Sequence, residues 1–155
     1  MNEFRGQIYV HLREYQLDNV TNKLYPTVKG CALTPSRFAN LVLSVTDIDE
    51  NVAKLRKPDG QEFKYTSHLG GGIFCSITSG YQCVNFRSYY TIEDRLMPTR
   101  KGISLRLDEW DVVKSKLEEI RNLSPQLSGA RPCDYDVDHN EAECEDCNAF
   151  KRCKN

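Results

Sequence analysis

Two stretches of the chain alternate apolar and polar residues with the period of a strand, and each runs on toward a helix-like apolar stripe. In residues 7–17, Ile8, Val10 and Leu12 share one face while Tyr9, His11 and Arg13 share the other. Residues 81–92 read the same way, rich in Val, Phe, Tyr and Thr. Phe63–Leu69 and Ile73–Thr78 predict two further strands around Gly70-Gly71-Gly72, and Ser79-Gly80 turns the chain into the next one. Apolar residues recur every three to four positions at Phe38, Leu41, Val42, Val45, Ile48 and Val52, which predicts one amphipathic helix. Thr34 is its expected N-cap and Pro35 its first residue, where the missing N–H costs nothing. Trp110, Val113, Leu117 and Ile120 predict a second helix, capped by Asp108. Phe38 and Trp110 are expected in the core. Asp47, Asp49, Glu50, Glu118 and Glu119 fall off the stripes and are expected on solvated faces.

These elements occur twice. Gln7–Tyr15 aligns with Tyr81–Tyr89, matching Val10, Arg13 and Tyr15 to Val84, Arg87 and Tyr89. Pro26-Thr27-Val28-Lys29-Gly30 then aligns with Pro98-Thr99-Arg100-Lys101-Gly102, each followed by a helix. The expected organisation is a truncated β-β-α unit over residues 1–57 and a complete β-β-β-β-α unit over 62–123. Lys57-Pro58-Asp59-Gly60 links them and residues 123–130 end the body. An acidic, cysteine-rich tail fills 131–155. The fold class is α+β.

Composition narrows the function. At 155 residues the chain is one ordinary domain or two very small ones. No window approaches the roughly 20 apolar residues of a membrane span, so no membrane partner is expected. The N-terminus has no apolar signal core, and secretion is not expected. The net charge of −1 conceals an uneven distribution: from Arg131 onward four bases meet seven acids, leaving 17 bases against 15 acids in residues 1–130. The expected class is not an enzyme. Gly70-Gly71-Gly72 lies between strands and lacks the Lys-Ser/Thr of a phosphate loop, and no Ser or Cys nucleophile has a base at telling spacing. His139-Asn140-Glu141 followed by Cys144-x2-Cys147 superficially resembles the zinc deaminase signature. Two intervening residues cannot bridge its two helices, so catalysis is rejected there.

What recurs in both copies is a basic and aromatic set. Arg13, Lys29, Arg87, Arg100 and Lys101 interleave with Tyr9, Tyr15, Tyr81, Tyr89 and Tyr90. Single-strand binders combine cations that follow the phosphates with rings on which bases stack. The plainer reading makes each Tyr an edge residue, pairs Arg13 and Arg87 with Glu14, Glu93 or Asp94, and makes each Lys-Gly a strand bend.

Arg13-Glu14-Tyr15, Arg100-Lys101-Gly102-Ile103-Ser104-Leu105, Trp110 and the segment Asp47–Leu55 together resemble the RNA polymerase II transcriptional coactivator family typified by positive cofactor four. The resemblance covers residues 4–56 and 62–122. It implies a curved antiparallel sheet packed with a C-terminal helix, dimerisation through these elements, and a grip on single-stranded or melted DNA. Two copies in one chain imply an intramolecular pseudo-dimer, with a second chain as the alternative means of completing the first sheet. The implied binding residues are Arg13, Tyr15, Lys29, Arg87, Tyr89, Tyr90, Arg100 and Lys101. The implied partners are single-stranded DNA and the transcription machinery, in the nucleus or, for a viral protein, in an infected cell. Gln16 and Val28 depart from the pattern, so the second copy is the expected DNA binder. The alternative is a protein-interaction or dimerisation module whose groove has degenerated.

The tail reads Cys133-x10-Cys144-x2-Cys147-x5-Cys153, with His139 between. A Cys-x2-Cys knuckle nucleates many tetrahedral zinc sites. Four cysteines within 21 residues that hold little apolar material favour a structural zinc knob. Cys133, Cys144, Cys147 and Cys153 are the expected ligands, with His139 as the alternate.

Overall fold

A computed structural model describes residues 1–57, 60–93 and 95–133. The element order is β1 (Asn2–Phe4), β2 (Gln7–Asp18), β3 (Lys23–Leu33), α1 (Pro35–Leu43), α2 (Val45–Leu55), β4 (Lys64–Gly70), β5 (Ile73–Thr78), β6 (Cys83–Ile92), β7 (Arg95–Arg106), α3 (Leu107–Arg121) and α4 (Pro125–Ser128). The strands form two antiparallel sheets, β1-β2-β3 and β4-β5-β6-β7. The α+β class holds, with one antiparallel sheet of three strands and one of four.

Several expectations change in detail. The first unit has a third strand, because Arg5 and Gly6 both take positive φ (53° and 79°) and close a two-residue hairpin between Phe4 and Gln7. Asn2-Glu3-Phe4 is too short to alternate visibly, so β1 carries no periodic signal. The first helix is two helices. At Ser44 the backbone N–H is shared between the carbonyls of Asn40 (3.0 Å) and Leu41 (3.2 Å), and the hydroxyl lies 3.2 Å from that of Ser67 on β4. The cap of α3 is Arg106 rather than Asp108, since the Glu109 carboxylate accepts from the Arg106 N–H at 2.8 Å. Strand β6 starts at Cys83, leaving Tyr81 exposed in the turn before it. Residues 123–130 are part of the body: Leu127 of α4 is buried, and the Gln126 amide donates to Gly6 O and accepts from Ile8 N, both at 3.1 Å.

One core joins both halves. Val10, Leu12, Leu33, Phe38, Leu41 and Ile48 from the first pack in one cluster with Leu69, Ile77, Val84, Phe86, Trp110 and Leu117 from the second. Helix α1 lies over β4, where the Asn40 amide donates to Leu69 O at 2.9 Å. Asp49 is no solvated-face residue. Its carboxylate accepts from the Trp110 indole N–H (2.9 Å) and from Lys114 (2.9 Å), while Arg56 reaches Asp111 at 2.6 Å, so α2 is tied to α3. An indole N–H held off from water needs such an acceptor.

Candidate nucleic-acid interface

The two long hairpins, β2–β3 and β6–β7, pair in the same register. Val10 faces Leu33 and Arg13 faces Gly30; Val84 faces Leu105 and Arg87 faces Gly102. Beyond these pairs the register shifts. Tyr15 faces Pro26 and Tyr89 faces Pro98, so Glu14 alone stands against Thr27, Val28 and Lys29, and Ser88 alone against Thr99, Arg100 and Lys101. Such a bulge re-aims side chains, and here it lifts the Lys29 and Arg100-Lys101 segments out of the ladder.

The repeated residues build this bulge. Arg13 donates to Thr27 O at 2.7 Å, and Arg87 donates to Thr99 O at 2.8 Å. The Thr hydroxyls accept from the backbone N–H two residues on, Lys29 at 3.2 Å and Lys101 at 3.0 Å, and that of Thr99 also donates to Ser88 O at 2.8 Å. Gly30 and Gly102 close it. A Cβ on either would stand 2.6 Å from a backbone oxygen of the facing strand, that of Leu12 or Phe86. The Lys-Gly pair is therefore a bend imposed by close backbone approach. Arg13 and Arg87 make no ion pair among the described residues; carbonyls, not carboxylates, hold them.

Chemistry differs between the hairpins. On the first, Lys29 meets Glu14 at 3.2 Å, Val28 replaces a base and is 90% exposed, and Gln16 replaces an aromatic ring. Burial, and then the nearby Arg13 cation, lowers the His11 imidazole from its ordinary value, which disfavours its charged form. On the second, Ser88 stands where Glu14 would. Arg100 and Lys101 are exposed, with no ion pair among the described residues. Tyr90 is 43% exposed. Tyr89 lies on the same side as Arg87 and meets Phe74 edge-on at 5.2 Å, and Phe74 in turn meets His68 at 4.8 Å. Phe74 pairs in register with both Arg87 and His68, so three adjacent strands contribute to one ring-and-cation row.

All eight sequence-predicted binding residues thus lie on the two hairpins. Arg13 and Arg87 act first as positioning residues. Phe74 and His68 are additions. Phe74 is a large apolar residue at an outward position of an alternating strand, which is a readable signal; His68 acquires its place only through pairing. Exposed Phe4, with the Arg5 guanidinium 5.2 Å from its ring centroid, is a further cation and aromatic pair, at the β1–β2 turn. Of the tail ligands, Cys133 is buried; Cys144, Cys147, Cys153 and His139 lie outside the described residues. No helix among the described residues is long and apolar enough to cross a membrane.

The sequence profile described as Transcriptional Coactivator p15 (PC4) matches residues 1–43 and 79–116, which span β1 to α1 and the segment running into β6, through β7, to α3. A Caenorhabditis elegans protein named "Putative RNA polymerase II transcriptional coactivator" is 36% identical over 50 residues, which make up 32% of this chain and 40% of that relative. No solved structure matches significantly.

Proposed function

The chain belongs to the transcriptional coactivator p15 (PC4) family, and from that premise we propose that it binds single-stranded or locally melted DNA through the second hairpin. The carrying observation is the bulge at Thr99–Lys101. Arg87 and Thr99 lock it, and it holds two exposed cations with no ion pair among the described residues beside Tyr89 and Tyr90. In this reading Arg100 and Lys101 meet phosphates, and Tyr90 and the Tyr89–Phe74 pair offer faces to bases. Arg13, Tyr15 and Lys29 form a weaker counterpart, with half its charge offset by Glu14. The family is one of transcriptional coactivators rather than enzymes. The activity therefore belongs to transcription, with the transcription machinery as protein partner, in the nucleus or in an infected cell.

A fluorescence-anisotropy titration with a single strand of about 20 nucleotides, longer than one binding site, tests this against the matching duplex at two salt concentrations. Tighter binding to the single strand, weakening with salt, is the expected result. Absence of binding to either by the folded chain overturns it. One observation favours a second reading, a protein-interaction surface. Tyr15, Leu17 and Leu24 are 54%, 48% and 64% exposed along the first hairpin, beside Val28. Light scattering of the chain across a concentration series distinguishes a homodimer built on that face from a monomer.

A further inference from the structure

The ring-and-cation row of the second sheet ends at a cavity. From Arg87 and Tyr89 on β6 the row passes Phe74 on β5 to His68 on β4, the outer strand. Adjacent strands lie about 4.8 Å apart, so β4 stands about 10 Å across the sheet from Arg87. At this edge, between β4 and the α1–α2 junction, is a cavity of about 510 Å³ that Phe74 and His68 also line. A strand laid along the row is led over the sheet edge into it.

The chemistry of the cavity suits a base rather than a phosphate. Asp47 stands exposed in its wall, and its described lining residues include no lysine or arginine, so the backbone is repelled there. Half-buried Tyr65 supplies a ring. Burial raises its phenol, and the Asp47 carboxylate adds to the effect, so the hydroxyl keeps its proton. The Ser44 and Ser67 hydroxyls lie 3.2 Å apart. A bond between them uses one of their two protons and leaves the other to donate. One cleft thus offers a carboxylate acceptor, a hydroxyl donor and rings. Stacking on an open row tolerates any base, whereas a cleft that donates and accepts reads the edge of what enters it.

That set matches particular bases. A carboxylate accepts from an exocyclic amine, as in recognition of cytosine N4, and a hydroxyl can donate to the ring nitrogen beside it. Cytosine and adenine both carry an amine next to an acceptor nitrogen. Thymine does not: its one ring proton lies between two carbonyl oxygens, which a carboxylate repels.

We propose that the cleft between α1–α2 and β4 receives one base of the bound single strand and favours cytosine or adenine over thymine. Asp47 accepts from the exocyclic amine, and the Ser44–Ser67 pair donates to the adjacent ring nitrogen. This rests on single-strand binding by the second hairpin and deepens it: the hairpin supplies affinity, the cleft selects.

The test is an anisotropy titration of the full chain with three strands of about 12 nucleotides, within the usual span of one binding site. One is all dT, and the others carry a single central dC or dA. Wild type should bind the dC and dA strands about 2- to 12-fold more tightly than all-dT, the equivalent of one net hydrogen bond. Asp47→Asn should abolish that ratio with unchanged melting, because an amide donates as well as accepts and can meet a thymine carbonyl. Lys101→Ala should weaken all three strands alike and keep the ratio. Equal wild-type affinity for the three strands overturns the cleft while leaving DNA binding intact, and a ratio that survives in Asp47→Asn also overturns it. Absence of binding to every strand overturns both readings.

Discussion

Arg87→Ala tests the central structural claim about the binding hairpin. The side chain sits half-buried, and its guanidinium donates to Thr99 O at 2.8 Å across the bulge. Removing it leaves that carbonyl without its charged donor. A hydrogen bond to a charged group contributes about 1.5–3 kcal/mol. For a chain of this size each kcal/mol shifts the melting temperature by roughly 2–4 °C, so the expected drop is about 3–12 °C. Arg13→Ala removes the equivalent bond to Thr27 O at 2.7 Å and should cost a similar amount. The two variants should part company in binding. Loss of the Arg87 lock frees the segment that presents Arg100 and Lys101, so oligonucleotide affinity should fall markedly; Arg13→Ala should change it little. Arg87→Lys keeps the charge without the planar fork, and should retain the salt dependence while recovering only part of the stability. The assays are thermal melts by circular dichroism and anisotropy titrations at matched salt. An Arg87→Ala chain that melts within 1 °C of wild type, against the roughly 3 °C minimum expected, would refute the lock.

Other outcomes follow from the same geometry. Tyr90→Ala should weaken single-strand binding by about 5- to 150-fold, the equivalent of ~1–3 kcal/mol of stacking per base, with unchanged melting; less than a twofold change removes Tyr90 from the interface. Lys101→Ala should lower the slope of log affinity against log salt by about 0.7, as expected for one phosphate contact on a single strand. An unaltered slope would place Lys101 away from the backbone. Gly102→Ala sets a Cβ 2.6 Å from Phe86 O, and overpacking of that kind costs about 1–3 kcal/mol; denaturant titration showing a neutral effect would contradict the close approach. The raised Cys31 thiol implies a stability term that is complete below its unfolded value of 9.0 and is lost as pH rises toward about 11. Urea midpoints should therefore fall across that window, and Cys31→Ser should flatten the fall. At pH 8 a thiol reagent should reach half-buried Cys83 before Cys31 and Cys75.

Local periodicity made the long elements readable. Alternation at Ile8, Val10 and Leu12, and the 3–4 spacing from Phe38 to Val52, are consequences of strand and helix geometry acting on neighbours in sequence. The recurrence of Arg, Tyr and Pro-Thr-x-Lys-Gly exposed the two hairpins for the same reason, since each hairpin is built from contacts close along the chain. Where the reading fell short, the deciding partner was remote or the signal too brief. Strand β1 has three residues and depends on the turn at Arg5-Gly6. The break at Ser44 accompanies a hydroxyl on β4. Asp49 looks like any solvated acid until α3 brings the Trp110 indole and Lys114 against it.

By itself, then, the amino-acid order determined the α+β class, the two hairpins, the helix stripes and which residues carry charge and rings. Tertiary structure alone decided what those groups do. It assigned Arg13 and Arg87 to backbone carbonyls, paired Lys29 with Glu14, gave Arg100 and Lys101 no ion pair among the described residues, and set the Phe74 and His68 rings in a row with Tyr89. The reason is physical. Periodicity reports the environment of a face, whereas the use of a donor or a charge depends on which acceptor another strand or helix brings within about 3 Å of it.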